Sequence, residues 1–572
     1  MTTLSVSLEG WPARPELGLL LPREGRPGWA DGAFWAAILE AWGLPVARAG
    51  EASLDALAHC TTVVAPALSL DDAATAQLSS MVKAGTSVLL AGPPSLPALS
   101  WLGLEAGDPI PVQGIRLDHA WLSTMVEAAL PGPDGHGVVT LEAGSSPVRL
   151  APDRGWRVLA EWADGRTSSG RGAPAIAYRW APETEEGVVV WFGPTIETVD
   201  WRAAEAIAGA AEVALSLASP QGLIGIWRWP AGRRAALVVD GDVDHPAGVD
   251  PECSRYVAPA LETVHRAGYE AYGIFVAGAN VARDPGAFPA GPGYHNHSYS
   301  HPYSYWNPQP WETLDEASIE TEIRTCAETF ATLLGVPDRG IFRLPHFQME
   351  GWVTSYSVLD RLGYLAESSV GADYSITAGL PFHPARRSWS DRPADIGYAR
   401  THPDLAQRFR ILQLPISTDP SDPAFPNGCC SYNALGEGVR RRGATPGAYE
   451  RVLDDVVRRS LARRSMAHLF IDPPDAGYGR LGHDRVDYAG AVERWLARWG
   501  HHPEVAVLTT ADLADWWLMR EQAVSDLSWG HQNGRLEVSL AEPAHANLTL
   551  AIQRPQQEPG PTTWTLLPIG TA

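Results

Sequence analysis

Cysteine is scarce in this 572-residue chain. The five present, Cys60, Cys253, Cys326, Cys429 and Cys430, are too few and too scattered for a disulfide scaffold or a four-thiolate metal site. Their spread fits a reducing compartment, and the adjacent Cys429 and Cys430 are read as two ordinary thiols, with a strained vicinal disulfide as the alternative. Positive charge is short as well. Lys and Arg number 44 against 66 Asp and Glu, a formal charge of -22, so nucleic acid and anionic membrane surfaces are repelled on average. No apolar run reaches the roughly 18 residues that cross a bilayer. The opening "MTTLSVSLEGWPARPELGLLLP" has neither the basic start nor the apolar stretch of a signal peptide. The expectation is a chain with no membrane span, cytoplasmic as the sequence stands, or secreted had a leader been removed. Internal repeats and low-complexity tracts are also missing.

What remains is a globular composition, 45% hydrophobic and 19% charged, on a chain long enough for two to four domains. The 23 tryptophans serve mainly as core, although indole faces also stack on sugar rings.

Periodicity changes three times along the chain. Strand and helix alternate over the first hundred residues. "LGLLLP" precedes a helix begun by Asp31 and ended by Gly43; "TTVVAP" is followed by a helix opened by Asp71 and Asp72 and then the strand "SVLLAG". That pattern predicts a parallel α/β layer. Short strands dominate from about 110 to 187 and read as a β insertion, before "GVVVWFGP" and a helix from Trp201 to Ala218 return to the layer. Residues 1–222 thus resemble, in topology, the flavodoxin-like or glutamine-amidotransferase-like accessory modules. The amidotransferases place a nucleophilic Cys on the turn after a central strand, whereas "AGPPS" follows "SVLL" here and Cys60 precedes a strand, so no catalysis is assigned. After the linker "ASPQG", a second α/β region covers 226–520, and 521–572 reads as a small β appendage.

The chemistry lies in the second region. "RRAALVVDGDVDHP" begins as an apolar strand, read as ending just before Asp240, and continues into Asp240, Asp242, Asp244 and His245. Loops beyond the carboxyl ends of parallel strands carry ligands, though Asp and Gly also make ordinary turns. Further on, "HNHSYSHPY" packs three histidines and two tyrosines into nine positions. His297 and His301 are four apart, which on a helical turn sets two imidazoles about 5–6 Å apart, close enough to share a metal ion.

Taken with "FRLPHF" (Arg343, Pro345, His346), "GYLAESS", "ILQLPIS" and the closing "VAVLTTADLADWW", these stretches resemble the polysaccharide deacetylases with the NodB-homology domain, carbohydrate esterase family 4 and its relatives. The family carries an Asp-Asp or Asp-x-Asp at its first strand end, a His-Ser/Thr-x-x-x-His motif and an Arg-x-Pro motif, and the match runs in order over roughly 230–518. A fainter likeness is to the divergent deacetylases of amino-sugar exopolysaccharides. The resemblance implies a distorted (β/α) barrel in a multidomain α/β protein. It implies a divalent ion on Asp242, His297 and His301, most often zinc, with cobalt, nickel or iron as substitutes. Asp240 would be the general base, Arg343 its partner, and the backbone N–H of His346 an oxyanion donor. The reaction implied is hydrolysis of N-acetyl groups on an amino-sugar polymer or oligomer. Two alternatives stay open: a hydrolase of a small amide on the same fold, and a catalytically silent carbohydrate-binding protein.

Two departures from the family pattern matter. The acid ladder permits a shifted register, with Asp242 as base and Asp244 as ligand. The family's last motif also supplies a His at a strand end as general acid, where "AHLFIDPPD" has Asp472. His468 lies four residues earlier, roughly 13 Å along a strand, and is read as a core histidine out of reach. The acid is therefore assigned to Asp472, its pKa raised by burial beside Asp475, or to a nearby His such as His295 or His245.

Overall fold

Short apolar runs set most of the strands and amphipathic stretches most of the helices. A computed structural model of the chain groups them into two units, Met1–Gly232 with Met519–Ala572, and Arg233–Leu518. It describes residues 3–9, 11, 15–22, 26–106, 114–117, 138–140, 148–150, 155–163, 174–180, 187–194, 201–244, 253–289, 293–302, 309–345, 352–369, 385–388, 408–417, 445–473, 488–533, 535–541, 547–554 and 564–569.

In the first unit the continuous apolar runs become parallel strands in the order Val46–Gly50, Leu17–Leu21, Thr62–Pro66, Ser87–Ala91, Val188–Phe192. Strands buried on both faces read as unbroken hydrophobic runs, and Thr62–Pro66 and Ser87–Ala91 are buried throughout. The Asp71 carboxylate accepts from the Ala74 N–H at 2.8 Å and so caps the helix Asp72–Lys83. Pro174–Trp180, Arg157–Ala163, Gly114–Leu117 and Val138–Thr140 extend the same sheet antiparallel. The stretch expected as an insertion therefore lengthens the layer. The C-terminal strands belong to this unit too. Arg535–Ala541 pairs with Thr3–Glu9 and with Leu527–Gln532, while Thr549–Gln553 pairs with Leu223–Ile226 and with Trp564–Pro568.

The second unit is a curled, mostly parallel sheet. Its order is Ala385–Ser388, Arg408–Gln413, Ala366–Glu367, Ile341–Phe342, Gly293–Asn296, Tyr272–Val276, Ala235–Val243, Met466–Phe470, with Val505–Val507 also on Ala235–Val243. Among its described pairings, only that of Ala385–Ser388 is antiparallel. Helices Val257–Arg266, Pro446–Arg463 and Ala489–Trp499 lay apolar faces on it, so Leu453, Val457, Trp495 and Leu496 share one buried core with Leu237, Val239 and Val243. Successive side chains of a strand point to opposite faces. With Leu237, Val239 and Val243 committed to the helices, Asp240 and Asp242 face the inside of the curl.

This changes one boundary. The strand does not stop before Asp240 but runs Ala235–Val243, all nine residues buried, and Asp244 is the first residue beyond it. No described helix is long and apolar enough to cross a membrane.

Candidate metal centre and its buried acid ladder

The two histidines sit just after the strand Gly293–Asn296. His297 and His301 do converge, with ring centroids 4.7 Å apart and Nε2 atoms 3.2 Å apart, but no helical turn brings them together. Ser298 and His301 have φ of 65° and 49°, left-handed values that cost a non-glycine residue about 1–3 kcal/mol each and persist only where the surroundings impose them. The Asn296 carboxamide oxygen accepts from the Ser298 N–H at 3.0 Å, and the Ser298 hydroxyl accepts from the His301 N–H at 3.1 Å. Backbone donors that a helix would satisfy are met by side chains.

Asp244, half exposed at 43%, completes the cluster. Its Oδ1 lies 3.0 Å from His297 Nε2 and 3.5 Å from His301 Nε2. Three donor atoms 3.0, 3.2 and 3.5 Å apart suit one ion: ligands at about 2.0–2.2 Å in tetrahedral array lie roughly 3.4 Å from each other. His297 Nδ1 meets the Arg343 carbonyl at 2.9 Å, which puts the proton on Nδ1 and turns the Nε2 lone pair to the cluster. Two imidazoles and one carboxylate suit zinc, with cobalt, nickel or iron as substitutes. The residues present fit a divalent ion.

Asp242 stands beside that cluster rather than in it. Its Oδ2 is 3.5 Å from His297 Nε2, and its Oδ1 accepts from Arg343 NH1 at 2.7 Å. Arg343 is fully buried and uses every edge of its guanidinium. NH2 donates to Asp240 Oδ1 at 2.9 Å and to the Ser368 hydroxyl at 2.8 Å, and Nε to the Ser368 carbonyl at 2.6 Å. Its face lies 3.9 Å from the Phe275 ring centroid and 5.1 Å from that of Phe470, packing that orients a cation.

Asp240 lies one layer deeper, with no solvent exposure. Its Oδ2 accepts from His468 Nε2 at 2.7 Å and from the Thr510 hydroxyl at 3.0 Å. The two carboxyls that share Arg343 diverge. Burial works against charge on Asp240, but Arg343 and His468 outweigh it and hold the carboxyl well below the usual range. Burial pushes Asp242 up to about 6; Arg343 and His297 pull it down, and Asp244 adds repulsion.

The structure groups Asp244, not Asp242, with the two histidines, the placement that the shifted register needs. The reason is the two-residue side-chain period combined with a strand that ends at Val243. His468 is a fully buried core histidine, yet it reaches Asp240: Met466–Phe470 lies parallel beside Ala235–Val243 with His468 opposite Val238 and Phe470 opposite Asp240, so the imidazole spans one pleat to the acid. Asp472 does not face the cluster as a free acid: its Oδ1 accepts from the Asp242 backbone N–H at 2.8 Å. His295, 1% exposed, packs on Phe275 at 5.1 Å, and burial lowers its pKa to about 4. His346, His245 and Asp475 lie outside the described residues. Ser368 and Thr510 were missed as contacts, although both lie in stretches the sequence marks, "GYLAESS" and "VAVLTTADLADWW".

No family model and no curated protein matches this chain. Among solved structures, one provisionally named a polysaccharide deacetylase from Mycobacterium smegmatis is 18% identical, covering 51% of this chain and 93% of that one at TM-score 0.37. A family 4 acetyl xylan esterase from Clostridium thermocellum, in complex with a cobalt ion, is 14% identical over 41% and 97% at TM-score 0.17. A 4-alpha-glucanotransferase from Thermococcus litoralis is 12% identical over 50% and 40% at TM-score 0.33. The structural neighbours include polysaccharide deacetylases and family 4 esterases.

Proposed function

We propose that the second unit is a metal-dependent hydrolase that removes N-acetyl groups from an acetylated amino-sugar polymer or oligomer. One observation carries the reading: Asp244, His297 and His301 gather three donor atoms at one point, and the carboxylate of Asp242, fixed by Arg343, stands 3.5 Å from that cluster. Asp244, His297 and His301 would hold a divalent ion, which would supply Lewis acidity for activating water and an amide carbonyl. Asp242 is then the general base that takes a proton from the attacking water. Arg343 holds that carboxylate in place and, through Asp240 and Ser368, is itself held. Among the described residues Ile471, Asp472 and Pro473 that directly follow the strand Met466–Phe470 there is no imidazole, and the Asp472 Oδ1 accepts from the Asp242 N–H. Asp242, carrying the water proton, can then return it to the leaving nitrogen.

Substitution separates these roles. Asp244→Ala and His297→Ala should each strip most metal from the purified protein, measured by elemental analysis. Asp242→Asn should keep metal near the parent level while acetate release from acetylated amino-sugar oligomers falls about 10²- to 10⁴-fold. Metal loss on Asp242→Asn with retention on Asp244→Ala would restore the register Asp240 and Asp242. Full metal with no acetate from any acetylated amino sugar would favour a small amide as substrate, or a binding protein.

A further inference from the structure

The turn between the two histidines is gripped from both sides. On one side its carbonyls are taken by the start of the helix Gly278–Arg283: the N–H groups of Gly278 and Ala279 donate to the carbonyls of Ser298 and Tyr299 at 3.0 and 2.9 Å. On the other side Glu322, from the helix Glu316–Thr329, takes its donors. Glu322 Oε2 accepts from the N–H groups of Tyr299 and Ser300 at 3.0 and 2.7 Å, and its Oε1 accepts from the Ser300 hydroxyl at 2.7 Å. A Cβ on Gly278 would lie 2.8 Å from Tyr299 Cδ2 and 3.1 Å from Cys326 Cα, so only glycine lets turn and helices come this close. One carboxylate thus ties two consecutive residues of a turn whose flanks, Ser298 and His301, are both left-handed.

We infer that Glu322 is a positioning residue for the metal centre: its carboxylate stores the left-handed turn that brings His301 Nε2 to within 3.2 Å of His297 Nε2. The inference rests on the metal reading above. Without Glu322 two backbone donors lose their acceptor, and relief comes by relaxing the turn toward ordinary φ, which swings His301 away from His297. Groups that orient ligands without touching the ion typically change metal affinity by about 10- to 100-fold. The side-chain amide of Gln can repeat the pattern, its oxygen accepting from both N–H groups and its nitrogen donating to the Ser300 oxygen; Ala cannot.

The test is titration of the full metal-stripped chain with cobalt(II), read by calorimetry and by the visible absorption that reports coordination geometry. Glu322→Ala should weaken binding about 10- to 100-fold and alter the spectrum, while Glu322→Gln stays within a few-fold of the parent with its spectrum. Because Gln restores shape without charge, its recovery separates positioning from misfolding and from electrostatic attraction. Parent-like affinity and spectrum in Glu322→Ala would overturn the inference, as would equal loss in both variants, which would assign the effect to charge. A parent chain that binds no cobalt would remove the metal reading and this one with it.

Discussion

At the scale of single residues, the site is a case of one cation shared by two acids. Arg343 spans Asp240 and Asp242, and the Asp240 carboxylate is further tied to His468 and Thr510 with neither Asp240 nor His468 exposed. Removing one member of such a buried pair leaves the other uncompensated, which typically costs about 3–5 kcal/mol. Asp240→Asn and His468→Ala should each lose stability of that order in urea unfolding of metal-free protein; unchanged midpoints would mean that the pair contributes nothing. The pH dependence has a definite sign. The Asp240 carboxyl is depressed in the folded chain, so its contribution is complete above the unfolded value of about 4 and fades as the pH drops below it. Below pH 4 the parent should therefore lose stability more steeply than Asp240→Asn.

At the scale of elements, the position of each acid follows from how strands neighbour one another. Gly241, between the two interior acids, lies against the backbone that follows the strand Met466–Phe470. A Cβ there would lie 2.3 Å from the Ile471 carbonyl oxygen and 2.8 Å from the Asp472 Cα, backbone atoms that cannot rotate aside. Gly241→Ala should cost at least about 2 kcal/mol and disturb metal binding, because the strand that carries Asp240 and Asp242 must shift. Gly530→Ala, where the added Cβ meets nothing within 4 Å, should be near neutral. Equal melting temperatures for the two variants would refute the close approach. The turn of His297 to His301 makes the same point about local structure. Four-residue spacing is legible, but the conformation that exploits it depends on Asn296, Ser298 and Glu322, which are spread over a strand end, the turn and a helix.

At the scale of the whole chain, the first unit is closed by both termini. Thr3 faces Ala541 and Leu223 faces Gln553 across antiparallel ladders. Arg520, buried, donates to the carbonyls of Glu40, Ala41, Ile226 and Trp227 at 2.8 to 3.3 Å. A chain ended at Asp526 leaves the strands Thr3–Glu9 and Leu223–Ile226 without those partners. Limited proteolysis should then cut within Met1–Gly232 much faster than in the full chain; equal resistance would show that these ladders add little.

The sequence by itself determined the inventory and its order: an acid ladder on an apolar strand, a pair of histidines four apart, an Arg-x-Pro segment, and alternating strand and helix patterns that mark the parallel layers. These are local signals, carried by side-chain type and by periods of two and 3.6 residues. Tertiary structure decided where each acid lies and what it touches. Asp240, Asp242 and Asp244 are chemically identical in the string "DGDVD", and they were distinguished by where hydrogen bonding to Tyr272–Val276 and Met466–Phe470 lets the strand end. His468 likewise reads as a core residue when distance is counted along its own strand, and becomes a partner of Asp240 only because a neighbouring strand lies within one pleat's reach. Roles passed between strands are set by register, and register is fixed by the packing of all the strands together.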